Sequence, residues 1–354
     1  MLQINNALFR AGELKIADVD YQNKTVPKLR IKLEPQAEKI WKQYFELIFG
    51  KFKLPERIVE RKSAFDTYLP ELTRNLFQGD LVNSEFLLTL LVDFPQKHVG
   101  EILKVGRKDP EADDKRKVYK AFSYDDLTKS YREDFSELIQ LIDVNVCPYC
   151  GRTFTTTAKK DKKTYIRANQ VDHFYPKSLY PYLALSIWNW IPSCASCNNR
   201  KKDDPHNLFL YPYKQGMGDD YRFVTHVQNG IGYLVGKPNS EADFEIRLDP
   251  MPECIADPSK KKTRTMAEYE IEKLGLNALY ASHNSYVCDI FRQRYVFGDA
   301  YQDSLVASFP ELFKSRADVR ALLYMKRIEA ESIGQTPLDK LTRDIDYEID
   351  TLLY

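Results

Sequence analysis

The chain has 354 residues, enough for one large domain or two to three smaller ones, each with its own core. A hydrophobic fraction of 43% and an aromatic fraction of 13% exclude a disordered chain. The net charge of +1 hides an uneven spread: positions 144–214 hold eleven Lys and Arg against four Asp and no Glu, a net +7 that leaves −6 on the flanks. A basic centre suits a polyanion partner, and a solvated Lys-rich loop at 159–163 is the plainer reading of the same residues.

The N-terminus, Met1 to Arg10, lacks a basic start followed by an apolar run. The most apolar stretch, Phe86 to Phe94, is broken by Thr89 and Asp93 and falls short of the ~20 residues a membrane helix needs. No membrane span is expected, and the cytoplasm is the expected location.

Pro35 to Phe49 opens on a proline, carries Ile40, Trp41, Tyr44, Phe45 and Ile48 at helical spacing, and is followed by Gly50, which predicts a helix. Ser84 to Val92, apolar nearly all round, predicts a buried one. Lys104 to Lys120 is charged and reads as a loop or linker. Ser123, with Asp126 three residues on, opens an amphipathic helix with Leu127, Tyr131, Phe135, Leu138 and Ile142 on one face. After the central stretch, Phe223 to Val227, a turn at Asn229-Gly230, and Ile231 to Val235 predict a β-hairpin. Helical patterns return from about Thr265. Asn277 is the expected N-cap of the segment carrying Leu279, Val287 and Ile290. Thr336-Pro337 is the expected start of a last helix with Leu338, Leu341, Ile345 and Ile349 on one face.

The chemistry concentrates in the centre. Cys147-Pro-Tyr-Cys150 and Cys194-Ala-Ser-Cys197 are two C-x-x-C pairs, each able to supply two corners of a zinc tetrahedron. A redox dithiol or a disulfide is the alternative, and two pairs in one chain favour zinc. Cys254 and Cys288 read as packing residues. Between the pairs, Asp172 and His173 join a carboxylate to an imidazole ahead of Pro176, and Asn189 follows. If Cys197 opens a helix, Asn198, Lys201 and Lys202 share one face.

This ordered set closely resembles the HNH endonuclease family, whose pattern runs C-x-x-C, D-H-x-x-P, a central N, then C-x-x-C-N-x-x-K. The resemblance covers positions 147–206. It implies a central ββα-metal module, which with the mainly helical flanks and the later β-hairpin read above makes an α+β fold. The boundaries expected are a mostly helical region at 1–143, the module at 144–215, and a hairpin with a helical C-terminal region at 216–354. It further implies Zn²⁺ on Cys147, Cys150, Cys194 and Cys197, and Mg²⁺ or Mn²⁺ on Asp172 and Asn198. Asn198 stands where the family name has its third histidine. His206 is either a further ligand or a turn residue.

His173 suits a general base, because imidazole titrates near neutrality. Asn189 is expected to fix the loop holding His173. Arg200, Lys201 and Lys202 are expected at the phosphates, with a solvated helix face as the alternative for Lys201. The expected activity is metal-dependent cleavage of DNA with little sequence specificity. The competing readings are a ribonuclease, and a zinc-stapled module that binds nucleic acid without cutting it. A second segment, Tyr269 to Asn277, resembles one that follows the nuclease core in anti-phage HNH proteins of the Septu type. It implies a role in anti-phage defence and an ATPase partner. Self-association of the chain is the other expected arrangement.

Overall fold

The computed structural model describes residues 124–354 except 162–163, 179–183, 185–188, 203–207, 214, 238, 327, 330–331 and 354, together with an antiparallel pair of two-residue strands, Ile16–Ala17 and Lys28–Leu29. The helices expected at 35–49 and 84–92, the linker at 104–120, and His206 lie outside the described residues. Helices and two-stranded antiparallel sheets alternate through the described part, as expected of an α+β chain. No helix among the described residues is long and apolar enough to cross a membrane.

The amphipathic pattern before the first cysteine pair forms two helices, α1 (Tyr124–Ser130) and α2 (Arg132–Ile142). Tyr131, at φ −127 and ψ 46, leaves helical geometry and breaks the single helix the spacing predicts. Phe135, Leu138 and Ile142 nevertheless stay buried on one face. The chain leaves α2 through Asp143 in the left-handed region and enters the central module. That module comprises the hairpin β1 (Thr157–Lys159) and β2 (Tyr165–Arg167), a second pair β3 (Gln170–His173) and β4 (Trp190–Ser193), and helix α3 (Ala195–Lys201).

Beyond it, β5 (Tyr221–Val227) pairs with β6 (Phe244–Pro250), with Tyr221 opposite Pro250 and Val227 opposite Phe244. The hairpin predicted through Asn229-Gly230 is therefore corrected in its second strand: 232–235 is a 3₁₀ turn, and the partner is 244–250. The cause is burial pattern. Phe244, Ile246 and Leu248 alternate into the core with Tyr221 and Phe223 of β5, whereas Ile231 and Val235 stay exposed.

The helices α4 (Pro252–Ala256), α5 (Lys261–Leu274), α6 (Leu276–Tyr280), α7 (Asn284–Val296), α8 (Asp299–Ser308), α9 (Arg316–Tyr324) and α10 (Asp339–Leu353) follow. Asn277 is not the expected N-cap. It lies inside α6, where its side-chain oxygen accepts from Leu248 N and ties the helix to β6. Leu341, Ile345 and Ile349 of α10 are buried, as the spacing predicts, and belong to the same core as Phe135 and Trp190. The polar side of α10 serves the sheet: Asp344 accepts from Phe223 N and Glu348 from Thr225 N. Backbone donors on the unpaired edge of β5 are thereby satisfied.

Candidate active site

Cys147 and Cys150 sit on a turn closed by Gly151, whose N–H donates to Cys147 O at 2.8 Å. Gly151 takes φ +65°, which a residue without a Cβ adopts at no steric cost. Cys194 precedes α3 and Cys197 lies within it. All four are buried, and their Sγ atoms lie within 4.8 Å of one another, Cys150 and Cys194 at 4.0 Å. Four Zn–S bonds of about 2.3 Å would set sulfurs roughly 3.8 Å apart, against about 2.05 Å in a disulfide. All six cysteines are free thiols.

Sulfur hydrogen bonds, from Cys147 first, hold Cys194 far below the ordinary thiol range and Cys150 below it. Burial pushes Cys147 up, and hydrogen bonds from Cys147 and the other sulfurs push Cys197 up. Without a cation the cluster cannot hold four thiolates; a divalent ion would remove that conflict, so the residues fit a metal. The flanks brace this knuckle. Tyr280 OH donates to Cys150 O at 2.6 Å, and Leu338 N to Gly151 O at 2.8 Å.

The β3–β4 pair and α3 set the chemistry on a ββα frame. The register places Asp172 opposite Ile191 and His173 opposite Trp190. His173 is buried, with Nε2 3.1 Å from Ala184 O. A carbonyl only accepts, so Nε2 carries the proton and Nδ1 the lone pair. Burial pushes the imidazole down to about 4, which leaves it neutral at neutral pH. Tyr124 packs edge-on to the ring at 4.4 Å. Asn189 clamps the chain just after it: its side chain accepts from Tyr175 N at 2.7 Å and donates to Tyr175 O at 3.0 Å.

Asp172 and Asn198 line the same cleft as His173, a space of about 400 Å³ also bordered by Lys177, Asn199 and Lys202. Both described contacts to the Asp172 carboxylate fall on Oδ2: Tyr149 OH donates at 2.5 Å and Lys201 Nζ lies at 3.1 Å. Among the described residues nothing bonds Oδ1. Asn198 donates through Nδ2 to Gln170 Oε1 at 2.7 Å, which turns its carbonyl oxygen elsewhere. Two hard oxygens of this kind fit Mg²⁺ or Mn²⁺, which complete their shells with water and phosphate.

Lys201 departs from the expectation of a phosphate contact. It is 2% exposed, with Nζ against Asp172 and donating to Phe174 O at 3.1 Å. The ammonium lies over the rings of Phe174, Phe209 and Tyr149 at 5.0, 5.4 and 5.8 Å. An aromatic box with a buried carboxylate outcompetes water for this cation. Arg200 is exposed but donates to Leu274 O at 3.1 Å, the C-terminal end of α5. Lys202 stays exposed at the cleft rim. Tyr149 and Gln170, which bond Asp172 and Asn198, and Lys177, which borders the cleft, are not singled out by the sequence motifs. Tyr149 was signalled only by its place inside the first cysteine turn. Lys177, paired with Asp125 at 2.7 Å, carried no signal.

Residues 147–204 match the family model of HNH endonuclease. No curated protein and no solved structure matches the chain. The matched segment and the four-cysteine cluster together fit a zinc-stapled HNH module.

Proposed function

We propose that the chain is a metal-dependent endonuclease that hydrolyses phosphodiester bonds in DNA with little sequence specificity of its own. The observation that supports this most is a single cleft lined by a neutral, oriented imidazole and two oxygen donors, His173, Asp172 and Asn198. A divalent ion held by Asp172 and Asn198 would stabilise charge on the phosphate and the leaving oxygen. His173 takes the proton of the attacking water at Nδ1, while Ala184 O keeps Nε2–H in place. Asn189 holds the backbone after His173, and Tyr149 with Lys201 holds the Asp172 carboxylate. Lys202 at the rim meets the phosphate backbone. The zinc knuckle is structural and separate from this cleft.

The chain acts in the cytoplasm on this reading. A defence role with an ATPase partner is proposed on the resemblance at Tyr269 to Asn277, the segment that ends α5, whose Leu274 carbonyl receives Arg200 of α3. Incubation of purified chain with plasmid DNA and with RNA of matched length, each with Mg²⁺ and with Mn²⁺, tests the reading. Cleavage of DNA above RNA, leaving 5′-phosphate ends, is expected. Cleavage of RNA alone moves the substrate to RNA, and cleavage of neither leaves a binding module.

A further inference from the structure

The β1–β2 hairpin leans on α2 but adds no buried residue to the core. Thr157 pairs with Arg167, Ala158 with Ile166 and Lys159 with Tyr165, and neither strand has a buried residue. Ile166 is 58% exposed. Beyond that contact, Ala158, Lys159, Ile166 and Arg167 are exposed, a surface open to something outside the chain. Its charge is one-sided. Positions 157–167 hold Lys159, Lys160, Lys162, Lys163 and Arg167 against Asp161 alone. Asp161 is used inside the turn, where it accepts from Thr164 N at 2.8 Å. Among the described residues no carboxylate lies within ion-pair distance of Lys159, Lys160 or Arg167. Lys159 lies over the Tyr165 ring at 5.5 Å, so cation and aromatic share one face.

The base of the hairpin is rigid and aimed. Asn169, buried, donates to Thr155 O at 2.6 Å and Thr157 Oγ1 at 2.9 Å, so the chain enters β3 in a fixed direction. Arg167 stacks over Phe135 at 5.4 Å, Phe135 meets Tyr124 at 5.5 Å, and Tyr124 meets His173 at 4.4 Å. A run of packed rings therefore joins the arm to the cleft.

We propose that the β1–β2 hairpin is an arm that grips the phosphate backbone of duplex DNA beside the bond lying in the Asp172–His173 cleft. The proposal rests on the nuclease reading. It makes the arm the main source of sequence-independent affinity, because Lys and Arg on phosphates release counterions without reading bases. The hairpin precedes β3 directly, so its hold on one stretch of backbone places a neighbouring phosphate at His173.

The test is equilibrium binding of a fluorescent 30-base-pair duplex to the full chain, without added Mg²⁺ or Mn²⁺, across 50–200 mM KCl. Wild type is compared with Lys159→Gln/Lys160→Gln, with Arg167→Gln, and with a control of equal charge change, Lys261→Gln/Lys262→Gln, at exposed positions that open α5. Each phosphate contact contributes roughly 0.9 to the slope of log K against log salt. The hairpin double variant should therefore lose about 1.8 in slope and, at 0.1 M, roughly 10- to 60-fold in affinity. Arg167→Gln should lose about half that slope and the control nothing. Zinc content should match wild type in all variants, and so should the unfolding midpoint of the lysine variants, whose side chains are exposed; Arg167→Gln should show at most a small midpoint drop from its lost stack on Phe135. A hairpin variant with wild-type slope and affinity, or a control that falls equally, overturns the arm while leaving the nuclease reading standing, and hands the hairpin's charge to a protein partner. A wild-type chain that neither binds nor cuts duplex removes both.

Discussion

Replacing Lys201 by Met separates a residue that positions Asp172 from one that touches phosphate. Met keeps the stem among Phe174, Phe209 and Tyr149 but removes the ammonium 3.1 Å from Asp172 Oδ2. Breaking a buried ion pair from one side costs about 3–5 kcal/mol, because the remaining charge stays desolvated. Asp172 keeps the Tyr149 hydroxyl and borders an open cleft, so the low end, about 3 kcal/mol, is expected. In a urea titration followed by tryptophan fluorescence, that is a midpoint drop of about 1 M for a slope of about 3 kcal/mol per molar. Adding Asp172→Asn removes the stranded charge and should restore about 2 kcal/mol of the loss, a coupling that only neighbouring groups show. The salt slope of duplex binding should not change. A loss under about 0.5 kcal/mol together with a slope reduced by about 0.9 would refute the buried pair and return Lys201 to the phosphates.

Glu270, fully buried and with no partner for Oε1 among the described residues, has its carboxyl raised to about 8 by burial, against lowering by Leu210 N and Lys201. Its proton is bound in the folded chain and lost from about 4.5 in the unfolded one. Wild-type stability should therefore fall, relative to Glu270→Gln, by up to about 1.4 kcal/mol per pH unit between pH 5 and 8. Paired urea titrations at those two pH values that show a constant difference would contradict it. Cys197→Ser should lose zinc by elemental analysis and unfold the central module, since metal binding and folding are coupled there. An intact fold with no metal would sink the knuckle. Asn189→Ala should remove both hydrogen bonds to Tyr175 and lower the cutting rate tenfold or more, while zinc content stays at the wild-type level. A wild-type rate would deny it a role in holding His173.

The parts of the site legible in the sequence are those in which chemistry is written at short range. Two cysteine pairs at tight spacing, a carboxylate beside an imidazole, and an asparagine directly after the last cysteine need little tertiary context. Lys201 was misjudged because helical spacing places it on a face with Asn198 but cannot show what covers that face. The cover comes from Phe174, Phe209 and Tyr149, each from a different segment. The second strand of the later hairpin was misplaced for a similar reason. Asn229-Gly230 is a strong local turn signal, yet the strand that buries alternate residues against β5 begins at Phe244. Asn277 looked like a cap because its type suits one, and it serves instead as an acceptor for a strand end. The helical flank after the module was legible where spacing was long and regular, as at Leu341, Ile345 and Ile349.

The proposed cleavage turns on His173 as its base, in a cleft kept apart from the zinc knuckle. The direct measurement is single-turnover cleavage of plasmid DNA, with Mg²⁺ and with Mn²⁺, by wild type and by His173→Ala at equal zinc content and equal unfolding midpoint. Cutting by the wild type is expected, with a loss of about 10²–10⁴-fold in the variant, the usual worth of a positioned base. Equal rates in the two proteins would contradict it.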